Sequence, residues 1–178
     1  MLLERELKQT IREIPDFPQK GVLFKDISPL FLRPRLVERC VEELARPFRV
    51  RDVTKVVGIE SRGFLLGPML AQLLGAGFAI VRKKGKLPEV AASVSYELEY
   101  GSATVEIAKD ALQPGDRVLV HDDLLATGGT AAATAELVRQ IGAQLVGFAF
   151  IIVLEGLGGR KTLEPYEVPI AHILSYDR

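Results

Sequence analysis

The chain has 178 residues, 48% of them hydrophobic, which suits one ordinary globular domain and leaves little room for a second independent core. Its 23 basic side chains balance 23 acidic ones, and so argue against a large polyanion such as nucleic acid as partner. The lone cysteine, Cys40, excludes an internal disulfide and a Cys-rich zinc site.

Residues 1–14 space Leu2, Leu3, Leu7, Ile11 and Ile14 at helical intervals, predicting a helix that Pro15 and Pro18 end. Charge alternates with leucine there and no apolar leader core follows, so a soluble protein of a reducing compartment, cytoplasmic, is expected. Residues 22–29 read as extended, and residues 36–48 as an amphipathic helix in which Cys40 is a small buried hydrophobe. Then the period changes. Strands are predicted at 53–59, 77–81, 102–108, 117–121 and 145–154, with helices at 64–74 and 128–141. The most apolar run, 146–154, is too short to cross a bilayer, which takes about 20 residues. Strands apolar on both faces, alternating with helices, mean an α/β fold: a mostly parallel twisted sheet flanked by helices. A single domain follows, with a core at about 31–155. A small hood comes from about residues 1–30 and the C-terminal tail, which cap the working edge of the sheet.

Chemistry concentrates where the strand Val118-Leu119-Val120-His121 runs into Asp122-Asp123, then Leu124-Leu125-Ala126-Thr127-Gly128-Gly129-Thr130 and a helix. Gly128 and Gly129 allow close backbone approach, Thr127 and Thr130 add hydroxyls, and the helix start offers free N–H groups and a positive dipole end. Together they make a phosphate cradle. The adjacent carboxylates suit sugar hydroxyls or a hydrated Mg²⁺, so the pair describes a phosphorylated ribose. Competing motifs fail: Gly159-Arg160-Lys161-Thr162 lacks the G-x-x-x-x-G-K-[ST] order, Gly75-Ala76-Gly77 lacks a third glycine, and 58–63 misses G-x-S-x-G by one residue.

The 118–130 segment resembles the 5-phosphoribosyl-1-pyrophosphate (PRPP) signature of type I phosphoribosyltransferases, in the wording of the adenine-using members. Three further blocks carry the likeness: Asp16-Phe17-Pro18 with 21–29 as hood, Ser61-Arg62-Gly63-Phe64 as pyrophosphate loop, and 82–88 with 95–101 bracketing a mobile catalytic loop. The resemblance spans nearly the whole chain. It implies Mg²⁺-dependent transfer of phosphoribosyl from PRPP to N9 of adenine, giving AMP and pyrophosphate in purine salvage, by a homodimer with neither nucleic acid nor membrane as partner.

By that resemblance the 5′-phosphate sits on Ala126, Thr127, Gly128, Gly129 and Thr130, and the ribose hydroxyls meet Asp122 and Asp123. Glu60, Ser61 and Arg62 hold pyrophosphate while Arg82, Lys83 and Lys86 close over it, and Mg²⁺ is held mainly by substrate and water. A cis peptide is expected between Glu60 and Ser61. Adenine stacks on Phe24 beneath Arg62 and is read by backbone groups of Leu23 and Lys25; Glu99 is the acid/base group. The segment 89–94 is more apolar than this loop commonly is. His121 stands where the family usually has an apolar residue and reads as a core histidine satisfied by hydrogen bonds. Two rivals stay open: a PRPP- or purine-sensing regulator, against which stand Lys86, Glu99 and the lack of a basic extension, and an enzyme for another 6-substituted purine.

Overall fold

In the computed structural model, which describes residues 2–97 and 101–177, helix α1 (Leu2–Thr10) stops where Thr10 donates its hydroxyl to the Glu6 carbonyl at 2.8 Å. The predicted helix through Ile14 is overturned: residues 12–15 form strand β1 (Arg12–Pro15), antiparallel to β2 (Leu23–Asp26). A residue before proline is disfavoured in helical conformation, which bars Ile14. The strand pair also gains cross-strand ion pairs, Arg12 with Asp26 at 2.6 Å and Lys25 with Glu13. The predicted extended stretch is likewise cut short by a 3-10 turn (Ser28–Leu32), because Asp26 accepts from the Ser28 N–H at 2.9 Å and its hydroxyl at 2.5 Å. Helix α2 (Pro34–Ala45) follows, with Cys40 fully buried in it.

The rest is one seven-stranded sheet. In chain order it contributes β3 (Lys55–Ile59), α3 (Gly63–Leu74), β4 (Gly77–Lys83), β5 (Val90–Glu97), β6 (Ser102–Ala108), β7 (Arg117–Leu125), α4 (Gly129–Gln140), β8 (Gln144–Leu154), the short α5 (Gly159–Leu163) and β9 (Ile170–Tyr176). Strand order is β5-β6-β4-β3-β7-β8-β9, with β4, β3, β7, β8 and β9 parallel and β5–β6 an antiparallel arm. Strand β8 shows why its sequence is apolar throughout: Ala149 and Ile151 enter the core under α1–α3, while Phe148 and Phe150 enter the core under α4.

Three expectations change. The segment read as part of a mobile loop between 83 and 101 holds strand β5, whose half-buried Ala92, Val94 and Tyr96 alternate with exposed Ser93 and Ser95. The C-terminal tail, expected outside the βα rhythm, divides between helical turns and β9, which pairs with β8 in parallel. Strand β7 runs four residues past His121, so the acid pair lies on the strand end, with Asp122 opposite Phe150.

Successive connections leave β3 and β7 in opposite directions, β3 to β4 and β7 to β8. The crevice beyond their carboxyl ends is therefore a topological switch point, where open α/β sheets bind ligands. The sequence puts Glu60-Ser61-Arg62 at one of these ends and Asp122-Asp123 at the other.

Candidate active site

At the end of β7 the chain turns through Ala126–Gly128 into α4. Gly128 is left-handed (φ 84°) and caps the helix, its carbonyl accepting from the Ala132 N–H at 2.8 Å. A side chain there would also collide, since a Cβ would lie 2.9 Å from the Gly159 carbonyl oxygen. Helix α5 thus backs the turn, with Thr162 donating its hydroxyl to the Thr127 carbonyl at 2.7 Å. The result is a small hollow of about 90 Å³ lined by residues 124–131, with Asp122 and Phe150. All of the expected phosphate and ribose residues meet here except Asp123.

Asp123 points to the other side of β7. Its Oδ2 forms an ion pair with Arg62 Nε at 3.0 Å, outside hydrogen-bond geometry, and has no hydrogen-bond partner. Burial raises both carboxyls above the ordinary carboxylate range, Asp122 the further because the Asp123 charge adds to it; Arg62 opposes the rise. Close backbone packing sets this geometry: a Cβ on Gly63, the first residue of α3, would stand 2.7 Å from the His121 carbonyl oxygen. His121 itself is buried, its Nδ1 2.9 Å from the Ala149 carbonyl and its Nε2 unpartnered, so only half of its hydrogen-bonding capacity is met.

Across the crevice, Glu60 gathers the basic residues. Its Oε1 accepts from Arg82 Nη2 at 2.9 Å and Lys86 Nζ at 3.0 Å, and its Oε2 from the Lys83 N–H at 3.0 Å. Burial pushes this carboxyl up, yet those three bonds outweigh it and hold the pKa down to about 2. Arg82 in turn donates to the Lys86 carbonyl at 2.9 Å. Lys83 enters through its backbone, with its side chain exposed. The Glu60–Ser61 peptide is cis, as the resemblance implies. A cleft of about 340 Å³ lies between this cluster, Asp122 and Thr130.

On the third side Arg62 lies over the Phe24 ring, its Cζ 4.9 Å from the centroid, and Phe17 meets Phe24 edge-on at 5.1 Å. A purine entering between Arg62 and Phe24 would have to part them. Of the backbone groups expected to read the base, the Lys25 carbonyl already accepts from Arg62 Nη1 at 3.3 Å, while Leu23 is 40% exposed. The Lys25 side chain faces away, buried beneath Tyr176 at 3.9 Å from the ring centroid and paired with Glu13. Glu99 lies outside the described residues.

Sequence reasoning missed Phe150 and Tyr96 as site walls, and Phe17 and Thr162 as braces behind Phe24 and Thr127. Phe17 stood in the quoted hood motif and Tyr96 in the quoted loop. Nothing local marks Phe150 or Thr162.

An anion hollow, an acid pair and a basic cleft meeting at a switch point define an α/β protein that binds a phosphorylated sugar. The phosphoribosyl transferase domain matches residues 35–173. Adenine phosphoribosyltransferase of Synechococcus sp. is 55% identical, over 97% of this chain and 99% of its own. The crystal structure of adenine phosphoribosyltransferase from Rhodothermus marinus is 54% identical, with a TM-score of 0.94 over 98% of this chain and 99% of that one. The Saccharomyces cerevisiae enzyme, solved with adenine and an imino-altritol bisphosphate, is 42% identical with a TM-score of 0.90 over 97% and 99%. The chain belongs to the phosphoribosyltransferase family, among its adenine phosphoribosyltransferases.

Proposed function

We propose that this chain moves the 5-phosphoribosyl group of PRPP to N9 of adenine, releasing pyrophosphate and leaving AMP for purine salvage. The observation that carries the reading is the crevice between β3 and β7, where an anion hollow and a basic cleft share Asp122 and Thr130, and the neighbouring Asp123 keeps one buried oxygen without a hydrogen-bond partner. The 5′-phosphate rests on Ala126–Thr130. The ribose hydroxyls donate to Asp122 and Asp123, whose burial makes each new donor valuable.

As the bond from C1 to pyrophosphate breaks, the sugar carbon gains oxocarbenium character. Arg82 and Lys86 turn from Glu60, and the exposed Lys83 from solvent, to the departing pyrophosphate and, with the Ser61–Arg62 loop, receive its charge. Phe24 and Arg62 hold the base, with Leu23 and Lys25 reading its edge. Glu99 takes the N9 proton as the new bond forms. The arm over the cleft excludes water, which would otherwise consume PRPP.

Oxygen donors at Asp122 and Asp123 suit Mg²⁺, with PRPP and water supplying most of its ligands. Bound there, the ion would neutralise pyrophosphate charge. A single domain with the hood from residues 1–30 and the tail fits this division of labour. A homodimer fits the apolar groove of about 560 Å³ between α2 and α3, where Met69 and Leu73 stay well exposed. No described helix is long and apolar enough to cross a membrane. The reading places the enzyme in the cytoplasm, with neither nucleic acid nor lipid as partner.

The test incubates the protein with PRPP and Mg²⁺ and, in turn, adenine, hypoxanthine, guanine and xanthine. Nucleotide formed from adenine alone supports the reading. PRPP binding without any nucleotide points to a sensor instead.

A further inference from the structure

Near the tip of the β5–β6 arm, the Tyr96 hydroxyl lies 2.9 Å from Thr130 Oγ1. Its ring covers Gly129, where a Cβ would stand 3.1 Å from the ring edge, so the second glycine of the turn makes room for this tyrosine. Thr130 lines both the phosphate hollow and the basic cleft, whereas Tyr96 lines the cleft alone. A threonine hydroxyl has one proton to give and two lone pairs to receive. Within a helix it tends to turn that proton to the carbonyl four residues back. Thr134, one turn further along α4, does so, donating to the Thr130 carbonyl at 2.8 Å.

We propose that Tyr96 is a positioning residue: by donating its own proton to Thr130 Oγ1, it turns the Thr130 proton into the phosphate hollow. The inference rests on the assignment of that hollow to the sugar 5′-phosphate. A phosphate dianion only accepts, so it needs a donor from Thr130. The chain from Tyr96 through Thr130 to phosphate runs donor to acceptor throughout, each bond polarising the next. Tyr96 acts on the phosphate without touching it, and ties the arm to the occupied site.

Ribose 5-phosphate binding by calorimetry and steady-state kinetics with PRPP test this on Tyr96→Phe, Thr130→Val and the double variant. Tyr96→Phe keeps the ring over Gly129, so the melting temperature stays unchanged. It is expected to weaken ribose 5-phosphate five- to tenfold and raise KM for PRPP to match, with kcat within twofold. Thr130→Val weakens binding at least as much, and the double variant is no worse than Thr130→Val, because Tyr96 works through that hydroxyl. Unchanged binding in Tyr96→Phe, or losses that multiply in the double variant, overturns the proposal and leaves the phosphate assignment standing. Indifference of ribose 5-phosphate to Thr130→Val overturns that assignment, and the role of Tyr96 with it.

Discussion

His121 makes the fold sensitive to acid. Burial pushes its pKa down to about 4 from the usual 6.5, and the Ala149 carbonyl opposes that shift only in part. In the unfolded chain the imidazole titrates near its ordinary value. Above pH 6.5 neither state is protonated and His121 costs nothing. Between 6.5 and 4 the unfolded chain takes up a proton that the folded protein refuses, so stability falls with pH. That window spans about 2.5 pH units at about 1.36 kcal/mol each, a loss of about 3 kcal/mol near pH 4. His121→Val removes the titration, and also removes the orphaned Nε2 at the expense of a smaller side chain, an offset independent of pH. Urea unfolding of both proteins at pH 7.5, 6, 5 and 4.5 measures the effect. Asp122 and Asp123 titrate with the opposite sign, since their raised pKa values disfavour the folded state once unfolded carboxyls ionise. Both proteins share them, so the difference between the two isolates His121. That difference should be flat above pH 6.5 and tilt by about 3 kcal/mol towards pH 4 in favour of the variant. A constant difference across the window would refute the argument.

Three other changes probe the site. Glu99→Leu should lower kcat by about 100-fold or more while PRPP affinity stays within about threefold, by rapid-mix kinetics and calorimetry; equal losses in both would mean a structural role. Asp123→Asn should weaken PRPP about tenfold in a calorimetric titration, because a charged acceptor for the ribose and the ion pair to Arg62 go together. Unaltered PRPP affinity contradicts the ribose assignment. Lys25→Met should cost about 1–3 kcal/mol in thermal unfolding, since the buried cation over Tyr176 and its pairing to Glu13 pin the β1–β2 pair to β9. An unchanged melting temperature would show that the β1–β2 pair is held by other contacts.

The βα rhythm of residues 53–154, the acid pair and the glycine–threonine turn were legible in the sequence because each is local: an apolar period, a conformation that glycine permits, a hydroxyl beside a helix start. The hairpin arm was half visible. Val90, Ala92, Val94 and Tyr96 alternate as a strand should, but an alternation becomes a strand only when a partner such as β6 pairs with it. Ile14 keeps the helical spacing of α1, yet its place is set by Phe24 across the β1–β2 pair, a partner the spacing does not reveal.

Residue types and their order were enough to determine a mostly parallel α/β sheet, a glycine–threonine turn at a helix start and the family resemblance. The tertiary structure alone decided that Glu60 binds Arg82 and Lys86, that Arg62 joins Asp123, Lys25 and Phe24, and that Tyr96 meets Thr130. Spacing along the chain carries no information about such pairs, because the sheet order that closes the distance between them depends on burying the whole core at once.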